Sequence, residues 1–130
     1  MALPHATSGQ VIDVRPLGDK KTEAVSHALF KTEQLELIRL VLPQGKGMPE
    51  HAVHGPITIQ CLEGRVELHA HQKAVTLQAG ELVYLAGGEL HSLCAVEDAS
   101  ALLTILLKHN GDHGFAGNAL TQAELAHGTA

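Results

Sequence analysis

From residue 57 to residue 108 the chain never holds one apolar run for more than about eight residues before a turn signal stops it. Residues 57–62 run into Glu63-Gly64, residues 66–70 follow, and residues 75–78 meet Ala79-Gly80. Residues 82–85 lead into Ala86-Gly87-Gly88, and residues 91–96 and 101–108 complete the series. Apolar runs this short, rich in Val, Ile and Leu and closed by glycine, suit strands and are too brief for stable helices. Turn signals at such regular spacing predict an all-β, antiparallel sandwich or barrel. Upstream, residues 24–32 and 34–42 form an apparent earlier pair. In the second of these, Leu35, Leu37, Arg39 and Val41 alternate with Glu36, Ile38, Leu40 and Leu42. Both faces turn apolar toward its end, as expected of a strand passing from an exposed region to a covered one. The stretch from Pro43 to Pro49, PQGKGMP, is expected to break regular structure.

One hundred and thirty residues with 45% apolar and 18% charged side chains describe one folded domain. No repeat or linker divides it. The expected organisation is an N-terminal segment (1–23), a β-barrel (24–108) and a C-terminal loop with a short helix (109–130). In that last part Thr121 and Glu124 form a potential capping box, on a segment too brief to be helical alone. The net charge of −5 without a basic run argues against nucleic acid or an anionic membrane surface. Only Phe30, Tyr84 and Phe115 are aromatic, so base-stacking platforms are not expected. No apolar stretch approaches the roughly 20 residues that span a bilayer. MALPHATSGQ lacks the features of a signal peptide, so a cytoplasmic location is expected. Cys61 and Cys94, without CxxC spacing, read as small core hydrophobes. Glu63, Glu67, Glu81 and Glu89 fall at turns or strand starts, where carboxylates usually face water. Neither a nucleophile elbow nor a phosphate loop is present. Histidine stands out: ten of them outnumber the nine Lys plus Arg.

Two glycine- and histidine-containing stretches carry a resemblance. Gly45 is followed after five residues by His51, with Gly64 downstream; Gly80 is followed after five residues by Ala86, then Gly88 and His91. This resembles the two motifs of the small single-domain cupins, of the RmlC-like, cupin-2 type, over about residues 45–95. QCLEGRVEL and AGELVYLAGGELHSL carry the likeness most closely. The resemblance implies an antiparallel jelly-roll, or double-stranded β-helix, and a homodimer, for which residues 24–42 are the candidate contact. It also implies a divalent transition metal bound by three histidines and a glutamate. Here the first motif departs from the pattern: Val53 takes the second histidine slot, with His54 one position on, and Ile57 takes the glutamate slot. In the second, Ala86 stands for proline and Ala95 for asparagine.

The candidate metal ligands are therefore His51, His54 and His91, with Gln60 as a weaker fourth. Strand alternation sets His54 on the face opposite His51, and Gly55-Pro56 offers a bend that would turn it inward. Gln60 shares the parity of His54. Imidazole suits zinc, iron and nickel alike, and the missing carboxylate disfavours calcium and magnesium. The expected occupant is a small organic ligand or substrate, with dioxygenase- or isomerase-like chemistry as one reading. Non-catalytic binding or sensing, with a weak or absent metal, is the alternative. His69 and His71 are expected on a solvated face, with Val53, Ile57 and Leu93 as cavity-wall candidates.

Overall fold

The turn glycines decide where this chain reverses. Gly45, Gly64, Gly80 and Gly88 all sit at positive φ, between 75° and 92°, a region costly for residues with a Cβ. At Gly64 a Cβ would also lie 2.1 Å from the Asp98 carbonyl oxygen, so that hairpin admits no side chain. A computed structural model describes residues 5–19 and 24–107. Nine strands follow in order: β1 (His27–Lys31), β2 (Leu35–Leu42), β3 (Gly47–His51), β4 (Ile57–Glu63), β5 (Arg65–Ala70), β6 (Lys73–Gln78), β7 (Leu82–Leu85), β8 (His91–Ala95) and β9 (Ala99–Leu106). Among the described residues there is no α-helix.

The strands form two antiparallel sheets, in the orders β1-β2-β9-β4-β7 and β3-β8-β5-β6. The all-β jelly-roll architecture expected from the sequence is the one observed. Alternation along the strands makes the core. On β4, Ile57, Ile59 and Cys61 are buried, while Thr58, Gln60 and Leu62 take the other parity. Leu40, Leu42, Val66, Leu68, Leu93, Ala101 and Leu103 are among the other members of a hydrophobic core that contains no Phe, Tyr or Trp. A large-to-small change at fully buried Ile59 or Leu68 therefore costs about 2–5 kcal/mol.

Three expectations need correction. The 43–49 stretch does not end regular structure: Gly47–His51 is a strand paired with β8. Its register slips between Met48 and His51, so Pro49, which has no N–H to give, falls at the irregularity. A Cβ at Gly47 would lie 1.8 Å from the Leu93 carbonyl oxygen, which explains why glycine begins this strand. Glu63 does not face water; it is buried, with 9% exposure. Cys94 is exposed, on the outer face of β8, while Cys61 is buried as expected. The predicted capping box at Thr121 and Glu124 lies outside the described residues.

The two buried charged side chains explain the N-terminal segment. Arg39 projects from β2 away from the core and donates through Nη1 to the Arg15 carbonyl (3.1 Å) and through Nη2 to that of Asp13 (3.0 Å). Glu63 accepts from the backbone N–H groups of Leu17 (2.9 Å) and Gly18 (3.0 Å), and from the Ser100 hydroxyl. A strap of chain thus crosses the outer face of the larger sheet at its Gly64 end, held by a cation on its carbonyls and an anion on its amides. Arg15 bends back onto Asp13 at 2.7 Å, and this ion pair holds the Asp13 carboxyl well below the usual carboxylate range.

Candidate functional site: the histidine pair

Register brings the two sequence-distant histidines together. His51 on β3 is the cross-strand partner of His91, the first residue of β8, and Ala70 of β5 flanks His91 on the other side. The ring centroids of His51 and His91 lie 4.5 Å apart, tilted by 54°. His91 is 2% exposed and shares its face of β8 with buried Leu93 and Ala95; His51 is half-buried. The loop after β7 locks this end of the sandwich. Gly88 donates to the Val53 carbonyl at 2.8 Å, and Gly87 packs so tightly that a Cβ would come within 2.3 Å of the His54 carbonyl oxygen.

Each ring is oriented by the carbonyl two residues upstream of it. His51 Nδ1 lies 2.9 Å from the Pro49 carbonyl oxygen, and His91 Nδ1 lies 3.0 Å from that of Glu89. A carbonyl only accepts, so each Nδ1 carries the proton and donates it, leaving Nε2 as the free nitrogen. His27 makes the same contact with the carbonyl of Val25 at 3.1 Å, so the bond fixes the tautomer without by itself marking a site. What distinguishes the interior pair is His91 Nε2: among the described residues it is the one buried side-chain nitrogen or oxygen without a hydrogen-bond partner. A buried polar atom left without a partner costs about 1–3 kcal/mol, so its retention calls for an explanation.

The other two sequence candidates do not join the pair. His54 is exposed; the Gly55-Pro56 bend does not turn it into the core. Gln60 is half-buried on β4 at the parity opposite Ile59 and Cys61, between Leu82 and Leu102 on the outer face. Of the proposed wall residues, Ile57 and Leu93 are buried and Val53 packs against them. His69 and His71 are exposed, as expected, with His69 Nε2 at 3.0 Å from Glu67 and His71 Nδ1 at 3.4 Å from Glu89.

Beside the pair runs an open groove of about 850 Å³, lined by Glu50, Ala70, His71, Lys73, Glu89 and Leu90 among others. Its rim is the hairpin between β5 and β6, where His71 and Gln72 both take positive φ (54° and 62°). That is the two-residue hairpin geometry normally filled by Asn-Gly, achieved here with two residues that pay a steric cost.

A transition metal needs more than this pair. Two imidazoles with their Nδ1–H groups held by carbonyls present Nε2 as metal-binding histidines do. Yet among the described residues no group of three or more His, Cys, Asp or Glu side chains is placed to hold an ion. The three-histidine, one-glutamate centre implied by the resemblance does not fit these residues: His54 is exposed and Ile57 stands in the glutamate slot.

No family model and no curated protein matches this sequence. Solved structures do. A conserved protein of unknown function from Streptococcus pyogenes superposes with a TM-score of 0.66 at 20% identity, covering 85% of this chain and 97% of that one. A cupin superfamily protein from Desulfitobacterium hafniense gives 0.65 at 14% identity, over 75% of this chain and 95% of its own. Salicylate 1,2-dioxygenase from Pseudoaminobacter salicylatoxidans gives 0.54 at 16% identity, over 57% of this chain and 21% of that much longer one. The chain has the cupin fold. Its neighbours include both an enzyme and proteins of unknown function, so the fold leaves the chemistry to be argued from the site.

Proposed function

We propose that this chain is a small-molecule-binding cupin whose seat is the His51–His91 pair, acting by binding rather than by turnover. The observation that carries the reading is the unpartnered Nε2 of buried His91, with a second ring 4.5 Å away. With Nδ1 as donor, that nitrogen is a hydrogen-bond acceptor in apolar surroundings. The complementary ligand brings an O–H or N–H group to it and apolar surface to Ile57, Val53 and Leu93. A groove opens at the same end, beside Glu50, Ala70 and Leu90. Among the described residues no carboxylate or thiol joins the two imidazoles as a third group, and Glu89 turns its carboxylate to His71.

A second reading rests on the ring orientation. A divalent transition metal (zinc, iron or nickel) held by the two Nε2 atoms would draw its remaining donors from the bound molecule, and would supply Lewis acidity there. The two readings part under a chelator. We expect members of a panel of small hydroxy acids, enols and phenols to raise the melting temperature of the chain in excess EDTA, and to lose that effect in His91→Leu. If none binds in EDTA, while zinc or nickel near one equivalent stabilises wild type and leaves His91→Leu unchanged, the metal reading replaces the first. Both sets of results failing would remove the pair from function altogether.

A further inference from the structure

Strand register extends the histidine row beyond the pair. His51 faces His91, His91 faces Ala70, and Ala70 faces Lys73, one residue from each strand of the smaller sheet. Lys73 takes the parity of Val75 and Leu77, the cross-strand partners of buried Leu68 and Val66, so it belongs to the core-facing set. It stands two strands from His91, about 10 Å across the sheet, and only the methyl group of Ala70 lies between them in the row. Ala70 and Lys73 both line the groove of about 850 Å³ at this end.

The other charges of this end are engaged or distant. Glu89 meets His71 at 3.4 Å, and His69 meets Glu67 at 3.0 Å. Glu50 belongs to β3, the opposite edge strand, about 14 Å from β6. The arginines are committed elsewhere: Arg15 to Asp13, Arg65 to Glu97 and Arg39 to the strap. Among the described residues the side chain of Lys73 makes no ion pair or hydrogen bond. One row thus holds a buried acceptor nitrogen and a free ammonium. We propose that Lys73 holds the anionic end of the molecule seated on the histidine pair, which makes that ligand a small hydroxy carboxylic acid. Its hydroxyl donates to His91 Nε2, and its carboxylate accepts from Lys73 Nζ. Lysine suits the position as a compact charge on a flexible four-carbon stem that can lean over Ala70. The inference rests on the proposed seat and adds the charge of what it takes. A lysine on an edge strand also discourages pairing between sheets, but that role gives no preference between a charged ligand and a neutral one.

The test is isothermal titration, in excess EDTA, with glycolate, lactate and mandelate, each beside its uncharged carboxamide. Wild type is expected to bind at least one acid about tenfold more tightly than its amide. Lys73→Met should weaken the acid by that factor and leave the amide unchanged, Lys73→Arg should keep the preference, and His91→Leu should abolish binding of both. Equal affinity for acid and amide, or a preference that survives Lys73→Met, overturns the role of Lys73; the seat still stands if His91→Leu abolishes binding. If His91→Leu changes nothing, or wild type binds no member of the panel, the seat fails and the inference falls with it.

Discussion

The two ends of this sandwich bury polar groups on opposite terms. At the Gly64 end, Arg39 and Glu63 are both buried, and each is met by backbone groups of the strap at 2.9–3.1 Å. At the other end, four residues along β8 from Ala95 and along β5 from Val66, His91 is buried with Nδ1 bonded and Nε2 without a partner. Polar groups of one end are matched internally; at the other, one buried ring nitrogen is not. Under the proposed reading, this contrast separates a structural polar cluster from a binding one. Full satisfaction lets burial contribute to stability, whereas a lone unsatisfied atom is retained at a cost.

The largest effect is expected from breaking the satisfied end. Glu63→Ala leaves two strap N–H groups and the Ser100 hydroxyl without their shared acceptor, and Arg39 keeps only half of the clamp. A loss of roughly 3 kcal/mol in urea unfolding is expected. Limited proteolysis within residues 5–19 should speed up in parallel. Arg39→Met should cost less, about 2 kcal/mol, because its aliphatic part still fills the space under the strap. If Glu63→Ala were neutral, the strap would be a passive covering and the contrast between the ends would lose one side.

The unsatisfied end should respond with the opposite sign. His91→Leu removes the orphan nitrogen, keeps a similar volume and places an apolar group beside Leu93 and Ala70. It should leave the protein as stable as wild type or more stable by about 1 kcal/mol, while ligand response is lost. His51→Leu should remove less of the response, since His51 is only half-buried. A substantial destabilisation by His91→Leu would mean that the ring holds the core together, and would place both ends in the same class.

How much of this was legible in the sequence follows from what each signal measures. Gly45, Gly64, Gly80 and Gly88 announced the turns because positive φ is a local demand, met at the residue itself. His51 and His91 were legible through motif spacing, and β3–β8 pairing brought them side by side. His54 and Gln60 were judged by parity with an allowance for a bend, and whether a bend re-aims a side chain depends on tertiary contacts such as Gly87 against His54. β3 was missed because proline and two glycines signal a break, whereas a bulge absorbs Pro49 and close backbone approach requires Gly47. Glu63 was missed for a similar reason. Its burial depends on a strap more than forty residues away, and a carboxylate beside a turn looks solvated until that partner is known. The signal available was Arg39, a charge in the apolar half of an amphipathic strand.

The smallest effect comes from the two thiols, both toward the Gly64 end, one inside and one outside. Cys61 lies inside at the strap end, its Sγ–H directed to the Glu63 carbonyl at 3.4 Å, and burial pushes its ionisation up from the ordinary thiol value of 9.0. A thiol raised on folding contributes stability that is intact below pH 9 and fades as the pH climbs through its folded value. Native protein should therefore take up one equivalent of iodoacetamide, at exposed Cys94, and a second only on opening. Glu63→Ala should accelerate the second alkylation, since it loosens the sheet end over Cys61, and His91→Leu should leave that rate at or below wild type. Mass spectrometry of tryptic peptides distinguishes the sites. Equal acceleration by both substitutions would show that the two ends open as one unit, and that their different polar accounting has no separate dynamic consequence.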